Sequence, residues 1–264
     1  MKKILIAGCT FLTATIAQAQ QTEGKVTYTR TQQMRIQINH GDGGENMEMP
    51  RTRTDNFVLQ FGNNKSLWKQ AEKEMEDEGG GGGMQIMMIG GGTDDVLYYD
   101  FAEGKRVEQR EMFEKKFIID DSLGALKWKI TGETKTILNH PCMKATATQI
   151  SSRTMMNINN GNMERKQVED TSVIVAWFAS DIPVPAGPAE YQGKLPGLIL
   201  EMDVANGRQT FVAKEISPKA DLASIKAPTG KKHYTREEYR KEVAKMMDEM
   251  QQNGGGNFQF RVRN

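Results

Sequence analysis

WFASDIPVPAGPAEYQGKLPGLILE, at residues 177–201, is the stretch of this chain whose backbone is most restricted by its composition. Four prolines and three glycines lie in it, at positions 183, 185, 188 and 196 and at positions 187, 193 and 197. Proline fixes φ and donates no backbone hydrogen bond, whereas glycine also adopts positive φ. The stretch therefore predicts an irregular crossing that joins a strand at 173–179 to a strand at 198–204. Gly197 is expected at positive φ, in a turn that leads into the second strand.

Elsewhere the chain alternates apolar and polar residues in short runs, which is typical of half-buried strands. These runs lie at 25–38, 56–61, 66–68, 96–101, 106–113, 116–120, 126–138, 143–150 and 209–216, and residues 258–262 suit a last strand. Asn206-Gly207 precedes the run at 209–216, and such a pair between two alternating runs predicts a hairpin. The pattern predicts a mainly β fold, with a large curved antiparallel sheet that is open or a half-barrel.

One amphipathic helix is predicted near the C-terminus, over residues 235–252. Thr235 and Glu238 have the spacing of a capping box, in which each side chain binds the other residue's backbone amide. Apolar residues three and four positions apart form one narrow stripe, which consists of Tyr239, Val243, Met246, Met247 and Met250. This pattern indicates a helix that packs against the sheet with one face and exposes the other.

Three polar or glycine-rich segments predict loops between the strands. Residues 39–50 suit a long hairpin loop, and residues 155–163, with the sequence MMNINNGNM, suit a second loop. Residues 72–93 combine an acidic run, a five-glycine run and several methionines. Because such a glycine run has no fixed conformation, this segment predicts a mobile insertion.

The N-terminus has the pattern of an export signal. Lys2 and Lys3 precede an apolar run at 4–16, and Ala17-Gln18-Ala19 follows as a cleavage site. The run is shorter than the ~20 apolar residues that a spanning helix needs. Cleavage after Ala19 would leave no transmembrane segment and an exported protein, periplasmic or associated with the outer membrane. A competing interpretation is that Ile6-Ala7-Gly8-Cys9 is a lipobox, in which case Cys9 carries lipid.

The chain thus divides into a signal peptide at 1–19, a β domain at 20–234, and a helix with a tail at 235–264. Loss of the signal removes two lysines, which leaves 33 basic and 34 acidic residues. This balance argues against a nucleic-acid partner. Cys142 is the only cysteine after position 19, which excludes a disulfide framework.

The crossing resembles the sequence signature of the GLPGLI family of Bacteroidota envelope proteins. The matching elements are Trp177-Phe178, Asp181-Ile182-Pro183-Val184, Gly187-Pro188, Tyr191 and Leu195-Pro196-Gly197-Leu198-Ile199-Leu200-Glu201. Lys194 departs from the pattern, because it separates the family's first glycine and leucine. Cys142-Met143-Lys144-Ala145 matches a strand that precedes the signature in the family. The resemblance implies an accessory protein of the outer membrane, in a family without an assigned activity.

The crossing is itself the candidate binding site. Rigid irregular backbone beside aromatic residues suits a groove for a lipid-like ligand or for an outer-membrane or periplasmic protein. The residues expected to frame such a groove are Trp177, Phe178, Pro188, Tyr191, Leu195, Pro196, Gly197 and Leu198. The alternative, which we favour, is a structural plug whose apolar residues cover the open end of the sheet.

A metal site is the second functional hypothesis. Thioethers suit Cu(I), and the residues concerned are Met84, Met87 and Met88 in the glycine-rich segment, with His140 and Cys142 on a strand. The more common role of such a cysteine is that of a small buried apolar residue. We find none of the usual nucleophile, zinc-hydrolase or phosphate-loop motifs. The sequence therefore predicts a protein without catalytic residues or cofactor.

We expect export to remove residues 1–19, because the cleavage site and the apolar run have signal-peptide form. An intact-mass measurement of the exported protein checks this prediction, with Gln20 as the expected first residue. A mass that includes a lipid group on Cys9 would contradict it.

Overall fold

The computed structural model describes residues 21–38, 47–71, 95–112, 115–124, 126–159 and 162–253. The predicted signal peptide, the whole insertion at 72–93 and the predicted strand at 258–262 lie outside these residues. The fold is mainly β, as predicted from the alternating runs.

Twelve strands in the described residues form one sheet, and one α-helix follows them. The elements are β1 Gly24–Ile38, β2 Met47–Gly62, β3 Lys65–Gln70, β4 Val96–Asp100, β5 Lys105–Met112, β6 Lys115–Ser122, β7 Lys129–Ile137, β8 His140–Asn159, β9 Asn162–Ala179, β10 Leu198–Val204, β11 Gln209–Ser217, β12 His233–Thr235 and α1 Arg236–Asn253. The order across the sheet is β12-β6-β5-β4-β3-β2-β1-β11-β10-β9-β8-β7, so the sheet is not closed. All neighbours are antiparallel except β12 and β6, which are parallel, and the sheet is therefore mixed.

Parts of two predicted loops belong instead to long strands, whereas residues 39–46 and 160–161 lie outside the described residues. Residues 155–159 continue β8 and residues 162–163 begin β9, and Met155 pairs with Lys166. Pro50 belongs to β2 and pairs with Arg35. Among the described strands, β1 alone pairs with β2 at this point, because β3 pairs with β2 only from Phe57 onward. Edge positions of a sheet are where strands tolerate proline, which is compatible with a strand that continues through Pro50.

The predicted hairpin at Asn206-Gly207 is confirmed. It joins β10 and β11 through residues 205–208, since Val204 pairs with Gln209. Ala205, Asn206 and Gly207 all have positive φ, at 56°, 54° and 84°. Asparagine and glycine tolerate this conformation better than other residues, so the sequence signal has a direct physical cause.

The crossing, residues 180–197, packs against one face of the sheet, which we call the inner face. The inner face carries large buried side chains, among them Tyr28, Leu59, Phe61, Trp68, Ile174, Phe178 and Phe211. The Tyr28 hydroxyl donates to the Ile199 carbonyl at 2.5 Å, just beyond the end of the crossing. The Ser66 hydroxyl donates to the Gln192 side-chain oxygen at 2.6 Å. The predicted irregular crossing is thus confirmed, and it covers part of the inner face.

Gly197 is not at positive φ, so that prediction was wrong. Gly193 has this conformation instead, with φ at 89°. Gly197 is required for a different reason: a Cβ at this position would lie 2.1 Å from the Ala179 carbonyl oxygen. The backbone at position 197 therefore passes so close to the end of β9 that only glycine, which has no Cβ, fits there.

The helix and its capping box are confirmed. The Thr235 amide donates to Glu238 Oε2 at 2.7 Å, and the Glu238 amide donates to Thr235 Oγ1 at 3.2 Å. The helix packs against β6 through Tyr239, whose ring lies 5.2 Å from that of Phe117. Val243 and Met246 extend the same apolar contact.

We expect Gly197→Ala to lower the free energy of unfolding by about 1–3 kcal/mol, because the added methyl group meets fixed backbone. Chemical denaturation measures this change. Gly124→Ala is the matched control, since a Cβ at Gly124 meets no atom within 4 Å. Equal denaturation midpoints for the two variants would show that the contact at Gly197 relaxes without cost.

Candidate functional site

A cleft of about 500 Å³ lies on the inner face between the crossing and the start of α1. Its floor comes from β1 to β6, and the crossing contributes Ala189 and Glu190 to its rim. Ala189 has a φ of 48°, an uncommon value for a residue with a Cβ. The volume falls within the range of about 300–1,000 Å³ that is usual for small-molecule sites.

One half of the cleft is apolar and aromatic. The rings of Phe57 and Trp68 are stacked, with centroids 4.9 Å apart and planes 10° from parallel. Leu97 lies next to Trp68, because the two residues pair across β4 and β3. Leu126, from the segment that precedes β7, completes this half and is only partly buried.

The other half is charged, and it is centred on Glu108. Arg106 Nη2 donates to Glu108 Oε2 at 2.7 Å, and each of these side chains is only 9% exposed. Arg110 binds the other oxygen of Glu108. Arg236, the first residue of α1, lies 3.6 Å from Glu108 and donates to Asp121 at 2.8 Å. Three guanidinium groups therefore surround two carboxylates.

The ion pairs shift the pKa of two of these groups, Asp121 and Arg110. Burial alone would raise the pKa of Asp121, but hydrogen bonds from Arg236 and the Ser122 amide outweigh it and lower the pKa. Burial alone would lower the pKa of Arg110, but the Glu108 carboxylate outweighs it and raises the pKa. The cleft thus presents fixed charges beside an aromatic surface.

Several polar hydrogens at the cleft have no acceptor in the described part of the chain. They belong to Arg30 Nε, Arg106 Nε and Arg236 Nη2, which are buried atoms of side chains that line the cleft, although Arg236 Nη2 lies 3.6 Å from Glu108 as an ion pair. A buried donor without a partner costs about 1–3 kcal/mol, and more when the group is charged. An acceptor bound in the cleft would relieve this cost.

The residues predicted to frame a groove at the crossing are mostly in the core. Phe178, Tyr191, Leu195 and Leu198 are buried members of the main apolar cluster, and Pro188 and Gly197 are buried as well. Pro196 is exposed. Trp177 is half-buried on the face of β9 opposite Ala176 and Phe178. Lys135 Nζ lies 4.4 Å from the centre of its ring. None of these residues lines the cleft, so their packing favours the structural-plug interpretation.

The structure describes only two residues of the metal hypothesis, His140 and Cys142. Met84, Met87 and Met88 lie outside the described residues. The His140 ring lies 2.8 Å from Asp181, whereas the Cys142 thiol donates to the His140 carbonyl at 3.5 Å. Cys142 is buried, and burial raises its thiol pKa to about 11. The described residues contain no group of three or more histidine, cysteine or acidic side chains suited to a metal ion.

Sequence reasoning missed the charged half of the cleft, although β5 carries a signal for it. Arg106, Glu108 and Arg110 alternate in sign at every second position, so they share one face of the strand. An alternating charged row usually faces water. Here Val107, on the opposite face, packs into a second apolar cluster, which leaves the charged row on the inner face.

Comparisons with known proteins identify the chain only in part. A family model described as a protein of unknown function (Porph_ging) matches residues 128–201, which include β7 to β9 and the crossing. No curated protein matches the chain. One similar solved structure, described as "Structure of PNGF-II in C2 space group", has 17% identity and a TM-score of 0.45. The match covers 83% of this chain and 33% of that one, so the chain spans about a third of its length.

A membrane-spanning helix must be both long and apolar. No helix in the described ranges meets both requirements.

We expect Glu108→Gln to lower the free energy of unfolding by roughly 3 kcal/mol, because it leaves three arginines with one carboxylate in a largely buried cluster. Thermal and chemical denaturation check this expectation. Glu103→Gln is the control, since Glu103 is exposed in the turn after β4. Unchanged stability of Glu108→Gln would show that the arginines are neutralised by solvent rather than by Glu108.

Proposed function

We propose that this chain is an exported, non-enzymatic binding protein of the cell envelope, which holds a small amphiphilic ligand in the inner-face cleft. The observation that carries the proposal is the division of one cleft into an aromatic half at Phe57 and Trp68 and a charged half at Glu108. A ligand with an apolar chain and a polar head suits both halves at once.

The chemistry of the cleft supports binding rather than catalysis. The carboxylates of Glu108 and Asp121 are both engaged by arginines, and the hydrogen bond from Arg236 contributes to the lowered pKa of Asp121. A general acid or base instead needs a pKa near the working pH. Arginine side chains suit ligand binding, because the planar guanidinium group orients an acceptor through its hydrogen bonds and stays protonated.

The location of the protein rests on sequence features. The signal-peptide pattern at residues 1–19 supports export, and the resemblance of residues 177–201 to the GLPGLI signature supports the envelope of a Bacteroidota cell. The burial of the signature residues gives them a structural role under this proposal. The crossing positions the rim of the cleft through Ala189 and Glu190, while its buried apolar residues hold it in place.

The proposal predicts saturable binding of ten-carbon amphiphiles, with one molecule per chain. Isothermal titration calorimetry with decanol and decanoate below their aggregation limits measures it. Leu126→Asn should weaken binding about tenfold, because it removes apolar surface from the ligand's path. Lys127→Asn is the matched control, since its side chain is exposed next to Leu126. Failure of the wild-type protein to bind any of these amphiphiles would overturn the proposal.

A further inference from the structure

The turn that forms the rim of the cleft, residues 188–191, has an unusual backbone. The Tyr191 amide donates to the Pro188 carbonyl at 3.2 Å, which makes Ala189 and Glu190 the central residues of a four-residue turn. Of these two central residues, only Ala189 has a positive φ, at 48°. This resembles a type II′ turn, in which glycine is the favoured residue at the first central position.

An alanine at this position carries strain that glycine would avoid. At positive φ the Cβ approaches the following carbonyl oxygen too closely. Such strain persists only where the surrounding structure holds the backbone in place, and it is common at binding sites. The methyl group of Ala189 packs against the main apolar cluster and lines the cleft. The strained conformation therefore places a methyl group at the wall of the cleft.

A buried side-chain amide holds the rim turn. Gln192 is only 1% exposed, and its Nε2 donates to the Ala189 carbonyl at 3.0 Å. Its Oε1 accepts from the Ser66 hydroxyl at 2.6 Å, and Ser66 is fully buried. We call Gln192 and these two hydrogen bonds the brace. Because both residues are buried, water cannot readily replace either hydrogen bond.

The brace ends on the strand that supplies the aromatic half of the cleft. Ser66 and Trp68 are two positions apart on β3, so they share the inner face. Trp68 lines the cleft and stacks on Phe57. Gln192 thus connects the rim turn to the floor of the apolar half, and the two hydrogen bonds fix the position of one relative to the other.

The residue after the brace contacts another wall of the cleft. Gly193 has a φ of 89°, and a Cβ at this position would lie 3.1 Å from Leu123 Cδ1. Leu123 begins the segment from which Gly124 and Leu126 line the cleft. The Gly193 amide is held by the Pro185 carbonyl at 2.7 Å. The rim turn is therefore fixed on two sides.

We propose that Gln192 and Ser66 are positioning residues of the cleft, which hold Ala189 in its strained conformation and thereby raise the affinity for the apolar chain of the ligand. The inference rests on the proposed function, because it concerns the affinity of the same cleft. The physical reason is pre-organisation. A wall that is already ordered in the free protein loses little conformational entropy when a ligand binds.

Ala189→Gly distinguishes positioning from stability. Glycine relieves the strain at this φ, so the melting temperature should stay within about 3 °C of the wild-type value. The less restricted turn should nevertheless weaken decanol binding about fivefold in isothermal titration calorimetry. A purely structural role would not lower the affinity while the melting temperature is unchanged.

Gln192→Met keeps the length of the side chain and removes both hydrogen bonds of the brace. It should also weaken decanol binding about fivefold, although Gln192 does not line the cleft. Gln60→Met is the matched control, since the Gln60 amide donates to Ser224 Oγ at 3.1 Å and accepts from the Asp221 amide at 3.0 Å on the opposite face of the sheet. This control should lower the melting temperature and leave decanol binding unchanged.

The outcomes separate this inference from the proposed function. Wild-type decanol affinity in both Ala189→Gly and Gln192→Met would overturn the brace and leave the amphiphile cleft standing. An equal loss of affinity in Gln60→Met would also overturn it, because the loss would then follow from lower stability. If the wild-type protein binds no amphiphile, the proposed function fails, and hydrogen exchange at the Tyr191 amide tests the brace alone. Exchange about tenfold faster in Gln192→Met than in Gln60→Met would support the brace, and equal exchange would overturn it.

Discussion

The apolar inner face of the sheet needs a cover, and most of the architecture follows from this need. Burial of apolar surface contributes about 25 cal/mol per Å² to folding, so large side chains such as Tyr28, Phe61 and Phe211 cannot stay in water. The one α-helix in the described residues reaches only the end of the sheet formed by β12, β6 and β5. The crossing therefore covers the middle of the face, and it does so without regular hydrogen bonds of its own. It is held instead by scattered backbone hydrogen bonds, such as that from the Gly193 amide to the Pro185 carbonyl at 2.7 Å, and by Ser66, which donates to the Gln192 side chain.

The cleft begins where this cover ends. Beyond Ala189 and Glu190 the inner face carries charged side chains of β5. These side chains pair with one another and do not pack against apolar residues of the crossing. Removing charges from water is costly unless they are paired, and Glu108 supplies the pairing for Arg106, Arg110 and Arg236. The same network tethers the start of α1 to the sheet through Arg236. Fold stability and the ligand site thus depend on the same ion pairs.

Local sequence signals predicted the elements whose cause is local. The capping box of Thr235 and Glu238 and the turn at Asn206-Gly207 involve residues within four positions of each other, and both are confirmed. Predictions failed where the cause lies far along the chain. Gly197 is required by the carbonyl of Ala179, and Pro50 is tolerated because β3 begins its pairing later along β2. Neither fact is visible in the neighbouring residues.

The sequence by itself determined the mainly β fold, the irregular crossing and the amphipathic helix, because periodicity, proline and glycine act on the backbone where they stand. Only the tertiary structure decided which face of β5 became the inner face. The alternation of Arg106, Glu108 and Arg110 with Val107 is compatible with either orientation. The choice depends on Val107, which packs with Leu67 and Ile118, and on Arg236, which arrives from more than a hundred residues away. Such contacts exist only once the strands are paired, which is why the cleft and its unpaired donors appear in the fold alone.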